Sequence, residues 1–362
     1  MSATPRDEFD LIARLTANLP GHPDVRVGIG DDAAIVRWPA DRELVVTCDA
    51  QVAGRHFLPE SASPEIFGAR AMAVNLSDIA AMGGEPRYAL VSLLIPPETT
   101  TDWLMRYYGG LRATADTFAV AIIGGNLSGT TGPFTADVTL FGQIAPGRAI
   151  RRSGARVGDA ILVTGQLGAA AAGLLAESDA GAASQASQAA LAHVRDVWLH
   201  PTPRVSAGQA LAAAGCATAM IDVSDGLAAD LGHILQQSHV GALLEAAALP
   251  VDAATRAVAR ALGRAPDDLA LFGGDDYELL FTVPAEQVPA AMASVTAIGA
   301  TATRIGTISD HHEGSRLRVA SGAIVPLEPR GWDHLRAEGL PRASSARRNH
   351  PSSGPQHDDK QG

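Results

Sequence analysis

The chain has 362 residues, 39 acidic against 28 basic, a net charge of −11 and 46% hydrophobic residues. That length and apolar content exceed what one domain usually holds, and no long basic run suggests a nucleic-acid groove. Cys48 and Cys216 sit in apolar runs without metal-ligand spacing, the N-terminus has no signal core and no run is long enough to span a bilayer. A disulfide framework, a zinc site and a membrane protein are therefore excluded, and a cytoplasmic protein is expected.

In chain order, Phe9 to Leu19 reads as a short amphipathic helix, and Val25 to Val36 (VRVGIGDDAAIV) as a hairpin or strand turn carrying Asp31 and Asp32. Leu44 to Cys48 reads as a strand ending at Asp49. Thr47 and Asp49, two apart, point to one face and offer the hard oxygens that Mg²⁺ accepts. His56 follows on the outgoing loop. Pro64 to Met82 is a helix so apolar that Asp78 on it must be metal-bound or paired, with Arg70 as the candidate partner, and Asn75 shares its face.

Tyr88 to Ile95, Thr101 to Phe118 and Ala119 to Ile123 read as strand, helix and strand. GGNLSGTTG from Gly124 then reads as a glycine-rich turn able to cradle phosphate, without the Lys-Ser/Thr of a P-loop. Phe134 to Ile144 adds a strand, and Arg148, Arg151, Arg152 and Arg156 a basic turn suited to phosphate. This alternation predicts an α/β domain over 1–152. A second domain, 153–338, opens with strand Ala160 to Thr164 and a peripheral helix with a loose loop over Ala176 to Ala192.

The stretch Met220 to Leu235 (MIDVSDGLAADLGHIL) reads as a strand ending at Asp222, a Ser224 cap, and a helix whose first turn holds Asp225. Its plain alternative is acids favoured by the helix dipole. Gly241 to Leu249, a helix near Ala253 to Leu262, and FGGDDYELLFTV follow, the last giving a Gly273-Gly274 turn, the pair Asp275 and Asp276, and a strand from Tyr277. Arg304 to Ile308 and Leu317 to Val319 finish the fold, with PRGWDHL (329–335) as an aromatic anchor. Residues 339–362 lack periodicity, which predicts a disordered tail.

Taken together and in order, VGIGDDAAIV, VVTCDAQVAGRHF, AMAVNLSDIAAMGG, IIGGN, RRSGARVGD, IDVSDGLAADLGHI and FGGDDYELLFTV resemble the thiamine-monophosphate kinase family, over about Phe9 to Leu335. More broadly they resemble the superfamily of aminoimidazole ribonucleotide synthetase, selenophosphate synthetase and a hydrogenase maturation protein. The resemblance implies a two-domain fold of that synthetase type, α/β then α+β, and a homodimer paired through the N-terminal sheet. It implies ATP-dependent phosphorylation of thiamine monophosphate with several Mg²⁺ ions. Metal ligands would fall on Asp32, Thr47, Cys48, Asp49, Asp78, Asn126, Asp222 and Asp225, and ATP contacts on Gly125, Asn126, Arg152 and Ser224. His56, Asp275 and Trp332 would contact the thiamine phosphate. This chain departs from the family at Asn126, usually an acid, at Cys48, usually threonine, and at Asp275, usually glutamate. Two alternatives stay open: another ATP-using enzyme of the superfamily, or a non-catalytic nucleotide-binding homologue.

Overall fold

The structure, a computed structural model, describes residues 8–30 and 33–331. The expectations for Asp31, Asp32, Trp332 and the tail lie outside the described residues. Helix α1 (Glu8–Thr16) is followed by a small antiparallel pair, β1 (Val25–Val27) and β2 (Ile35–Val36), as the hairpin reading required. Next come β3 (Glu43–Val52), α2 (Pro64–Ala81), β4 (Glu85–Ile95), α3 (Thr101–Thr117), β5 (Ala121–Gly129) and β6 (Thr135–Ile144).

These strands make a sheet of order β3-β6-β4-β5, antiparallel except for β4 and β5. A parallel pair needs a long crossover, and α3 supplies it. Along β6 Ala136, Val138 and Leu140 are fully buried against α2 while Asp137, Thr139 and Phe141 face the other way. That alternation fixes the register, since a one-residue slip would turn the core face outward.

The second half runs β7 (Ala160–Thr164), α4 (Ala169–Ser178), α5 (Ala180–Ala183), α6 (Gln188–Leu199), α7 (Val205–Ala214), β8 (Ala219–Asp222), α8 (Leu227–Ser238), β9 (Gly241–Glu245), α9 (Ala253–Ala261), α10 (Pro266–Phe272), β10 (Leu279–Val283), α11 (Val288–Ala297), β11 (Ala302–Ser309), β12 (Ser315–Arg318) and β13 (Ile324–Pro326). Its seven-stranded sheet has the order β13-β12-β9-β11-β7-β10-β8. Among the described residues no helix is long and apolar enough to cross a membrane.

Two readings change. GGNLSG is not a turn: Gly124 to Gly129 continue β5, and Ile123 is the extra residue of a bulge against β4. Ala176 to Ala192 is not one helix with a loose loop but parts of α4, α5 and α6, the last capped by the Ser187 hydroxyl accepting from Ala190 N.

Helix α2 lies between the two halves, and 14 of its 18 residues are buried. Such a helix has almost no solvent face, so apolar side chains lie on every side of it and its few buried polar ones need partners. One continuous apolar cluster runs from Leu140 of the first sheet through Leu76 and Ile79 of α2 to Leu162, Met220 and Phe281 of the second. Where α2 crosses α3 the backbones touch. A Cβ on Gly68 would lie 1.8 Å from the Tyr107 carbonyl oxygen, and one on Gly110 1.8 Å from that of Glu65. Neighbouring glycines of α3 therefore diverge. Gly110→Ala is expected to cost about 1–3 kcal/mol or more by overpacking. Gly109→Ala, with nothing within 4 Å of the new methyl, should stabilise by about 0.5–1 kcal/mol. Urea denaturation of both variants checks the pair.

Candidate active site

Polar side chains of α2 gather acids from both halves. Asn75 Oδ1 accepts from the Asp49 amide at 3.0 Å and the Thr47 hydroxyl donates to Asp78 Oδ2, which ties β3 to the helix. The Ser77 hydroxyl donates to Asp222 Oδ2 at 2.7 Å, which ties the end of β8 to the same turn. Asp49, Asp78, Asp222 and Asp225 then share one cavity of about 740 Å³ with Ser224, Arg152, His56 and Asp275.

Crowding raises the proton affinity of these carboxyls. Asp49 opens on the cavity, yet desolvation first, and then repulsion from Asp78, Asp222, Asp225 and Asp137, pushes it up to about 7. Burial followed by repulsion from Asp78 pushes Asp222 up to about 7, against the Ser77 hydrogen bond and Arg152. Burial also raises Asp78, opposed by the Thr47 hydroxyl and Arg152. Low dielectric and like charge thus act together.

The loop from β8 into α8 is held differently from the sequence expectation. Gly226, not Ser224, is the N-cap, and Asp230 in the first turn accepts the amides of Ser224, Asp225 and Gly226, each at 3.1 Å. Ser224 lines the cavity and Asp230 does the capping. Burial and then repulsion from Asp222 and Asp225 push Asp230 up to about 8.

FGGDDYELLFTV splits by function. Asp275 faces the cavity, whereas Asp276 turns inward to accept the Gly168 amide ahead of α4, at 2.9 and 3.0 Å. Glu278 is buried in a two-pronged pair with Arg204, at 2.7 and 2.5 Å. Arg70 does not pair with Asp78, as the sequence allowed; its Nη2 sits 2.6 Å from Asp275 Oδ1. His56 Nδ1 accepts from the Val52 amide at 2.9 Å, which orients the ring at the cavity wall.

Four expected site residues do not line the cavity, and of these Thr47 reaches it only through its hydrogen bond to Asp78. Cys48 alternates to the opposite face of β3 from Thr47 and Asp49, and its thiol donates to Asp137 Oδ1 at 2.9 Å. Asn126 is exposed on β5. Gly125 presses its backbone on β4, where a Cβ would lie 1.9 Å from the Val91 carbonyl oxygen. Asp32 and Trp332 lie outside the described residues. Sequence reasoning missed the apolar wall made by Ala170 and Leu174 of α4 with Leu269 and Phe272 of α10. Its signal was Pro266 starting a short helix before Leu269.

Among the described residues no three His, Cys, Asp or Glu converge closely enough to hold one ion. The carboxylates stand around a space, within electrostatic reach of one another, rather than forming a cage.

Residues 30–144 match the AIR synthase related protein, N-terminal domain, and 156–318 its C-terminal domain. Thiamine-monophosphate kinase of Salmonella typhimurium is 40% identical, over 91% of this chain and 98% of its own, and that of Bacillus subtilis 34%, over 91% and 100%. The chain belongs to the thiamine-monophosphate kinase family. The crystal structure of the thiamine-monophosphate kinase from Stenotrophomonas maltophilia aligns with a TM-score of 0.76 at 41% identity, covering 86% of this chain and 96% of that one. AaThiL complexed with AMPPCP and TMP aligns at 0.71 and 32%, covering 91% and 97%. The hydrogenase maturation protein HypE in complex with ATP aligns at 0.70 and 22%, covering 92% and 96%, and shares the fold. The expected synthetase-type fold and family are thereby borne out.

The kinase-family cavity carries its own stability signature. Acids whose folded state holds the proton more tightly than the unfolded chain give stability that is present at low pH and lost as pH rises from about 4. For Asp49 and Asp222 that loss runs to about 7. In chelator-treated protein, Asp222→Asn should therefore have a thermal midpoint equal to wild type near pH ~4 and above it near pH ~8. Thermal scans at both pH values check the crossover.

Proposed function

We propose that the protein transfers the γ-phosphoryl group of ATP to thiamine monophosphate, giving thiamine diphosphate, in the cytoplasm. The observation that carries this is the meeting of Asp49, Asp78, Asp222 and Asp225, from both halves of the chain, in one cavity with an apolar wall. The family supports the acceptor, since AaThiL forms a complex with AMPPCP and TMP.

Two polyanionic reactants have to approach in line, and the transition state carries charge on the transferred phosphoryl oxygens. Dispersed carboxylates fit Mg²⁺, which takes one or two carboxylates together with substrate phosphates rather than an all-protein cage. The donors here are all oxygen, as a hard cation requires: Thr47, Asp49, Asp78, Asp222 and Asp225 would hold the ions, with Asp32 as a further ligand. Bound there, Mg²⁺ would neutralise the phosphates. Arg152 and Ser224 would hold phosphate oxygens of ATP. His56 and Asp275 would hold the acceptor, with its rings against Leu174, Leu269 and Phe272. The acceptor phosphate is already anionic near neutral pH, so positioning replaces a strong general base.

A homodimer belongs to the same reading. The outer face of the first sheet exposes Leu44, Val46 and Leu94, and Cys48, Asp137 and Asn126 stand on it. A second copy covering that face would bury them, and light scattering should give twice the chain mass.

Purified protein is expected to release ADP from Mg·ATP only when thiamine monophosphate is present. Asp222→Asn should cut that release by about a hundredfold or more with unchanged circular dichroism. ADP release indifferent to thiamine monophosphate would overturn the reading.

A further inference from the structure

Asp275 is the cavity carboxylate with the most elaborate support. Its backbone sits in the left-handed region at φ 68°, and Tyr277 two residues on at φ 50°. Such conformations cost free energy in residues other than glycine and persist only where surroundings impose them. Main-chain and side-chain hydrogen bonds impose them here. The Asp275 amide donates to the Ser224 carbonyl and the Tyr277 amide to the Val223 carbonyl, both at 2.8 Å, so this loop is zipped to the exit of β8. Arg70 Nη2, 2.6 Å away, and the Tyr277 hydroxyl, 3.0 Å away, both address Asp275 Oδ1.

Arg70 itself is 4% exposed. Its Nη1 donates to the Trp198 carbonyl at 2.9 Å, and its guanidinium lies 5.8 Å from the centre of the Tyr277 ring. A buried guanidinium committed to a backbone carbonyl and one carboxylate oxygen cannot swing, so it fixes which oxygen of Asp275 it engages. Oδ2 has no donor among the described residues. Asp275 lines the cavity, so Oδ2 is the oxygen left for a ligand.

We propose that Arg70 is a positioning residue for the acceptor: by holding Oδ1, it presents Asp275 Oδ2 to a donor on the acceptor's nitrogen heterocycle. This rests on the thiamine monophosphate reading, whose aminopyrimidine supplies an N–H donor and whose thiazolium ring carries the positive charge a carboxylate favours. Helix α2 makes the arrangement metric. Arg70 and Asp78 are eight residues apart on it, about 12 Å along the axis. One rigid helix thus sets the spacing between the group that orients the heterocycle end and the acids that surround the phosphates.

The test is a set of steady-state measurements on the full chain. Arg70→Met keeps most of the buried stem and removes the charge. It should raise the KM for thiamine monophosphate about tenfold or more, with the KM for ATP and kcat within about threefold of wild type. Tyr277→Phe, which keeps the ring, should raise the same KM about threefold to tenfold and serves if Arg70→Met folds poorly. Arg70→Met/Asp275→Asn should be no worse than Asp275→Asn alone, because a residue acting through Asp275 has nothing to add once that carboxylate is neutral. An unchanged acceptor KM in both single variants, or additive losses in the double variant, would overturn the proposal while leaving the kinase reading intact. Absence of turnover on thiamine monophosphate in the wild type would overturn both.

Discussion

Negative charge is crowded beside a buried helix, and the fold is built to hold it there. Asp49, Asp78 and Asp222 come from three separate elements and are brought together although desolvation and mutual repulsion oppose it. The opposition is met by polar groups on α2: Asn75 holds the backbone of β3, Ser77 holds Asp222, and Asp78 is held by Thr47. Apolar burial on every side of α2 keeps those groups from moving away. The cavity is a strained site maintained by a well-packed core.

The same helix joins two sheets that share no strand. Its packing on β3 and β6 fixes one wall, and its contacts with β8 and α7 fix the other. Arg70, two turns before Ser77, extends the arrangement to the loop that carries Asp275. For a reaction that has to bring two polyanions into line, a single rigid element setting both walls limits the misplacement that would slow transfer.

Much of this was legible in the sequence because local rules decided it. Alternation along β6, the apolar run of α2 and the strand ending at Asp222 each follow from period and burial, and an acid deep in the apolar run of α2 announced Asp78. The seven stretches in order marked the family. What was not legible depended on tertiary placement. Glycines after Ile123 signal a turn locally, but pairing with β4 keeps them extended. Ser224 is a good cap by type, yet Asp230 reaches back to the three amides first. Arg70 faced Asp78 on the sequence argument, and only the fold brings Asp275 to it across 205 positions. Cys48 and Asn126 could be assigned by resemblance, but strand parity puts Cys48 on the face away from Asp49.

If acids from both halves of the chain form one polyanion-binding site, crystals grown with Mn²⁺ and a non-hydrolysable ATP analogue will show it, because anomalous scattering locates each ion independently of the protein coordinates. Ions are expected beside the nucleotide phosphates, near Asp49 and Asp78 on one side and Asp222 or Asp225 on the other. Nucleotide and ions bound away from these carboxylates, or held by the acids of one half alone, would contradict a shared site.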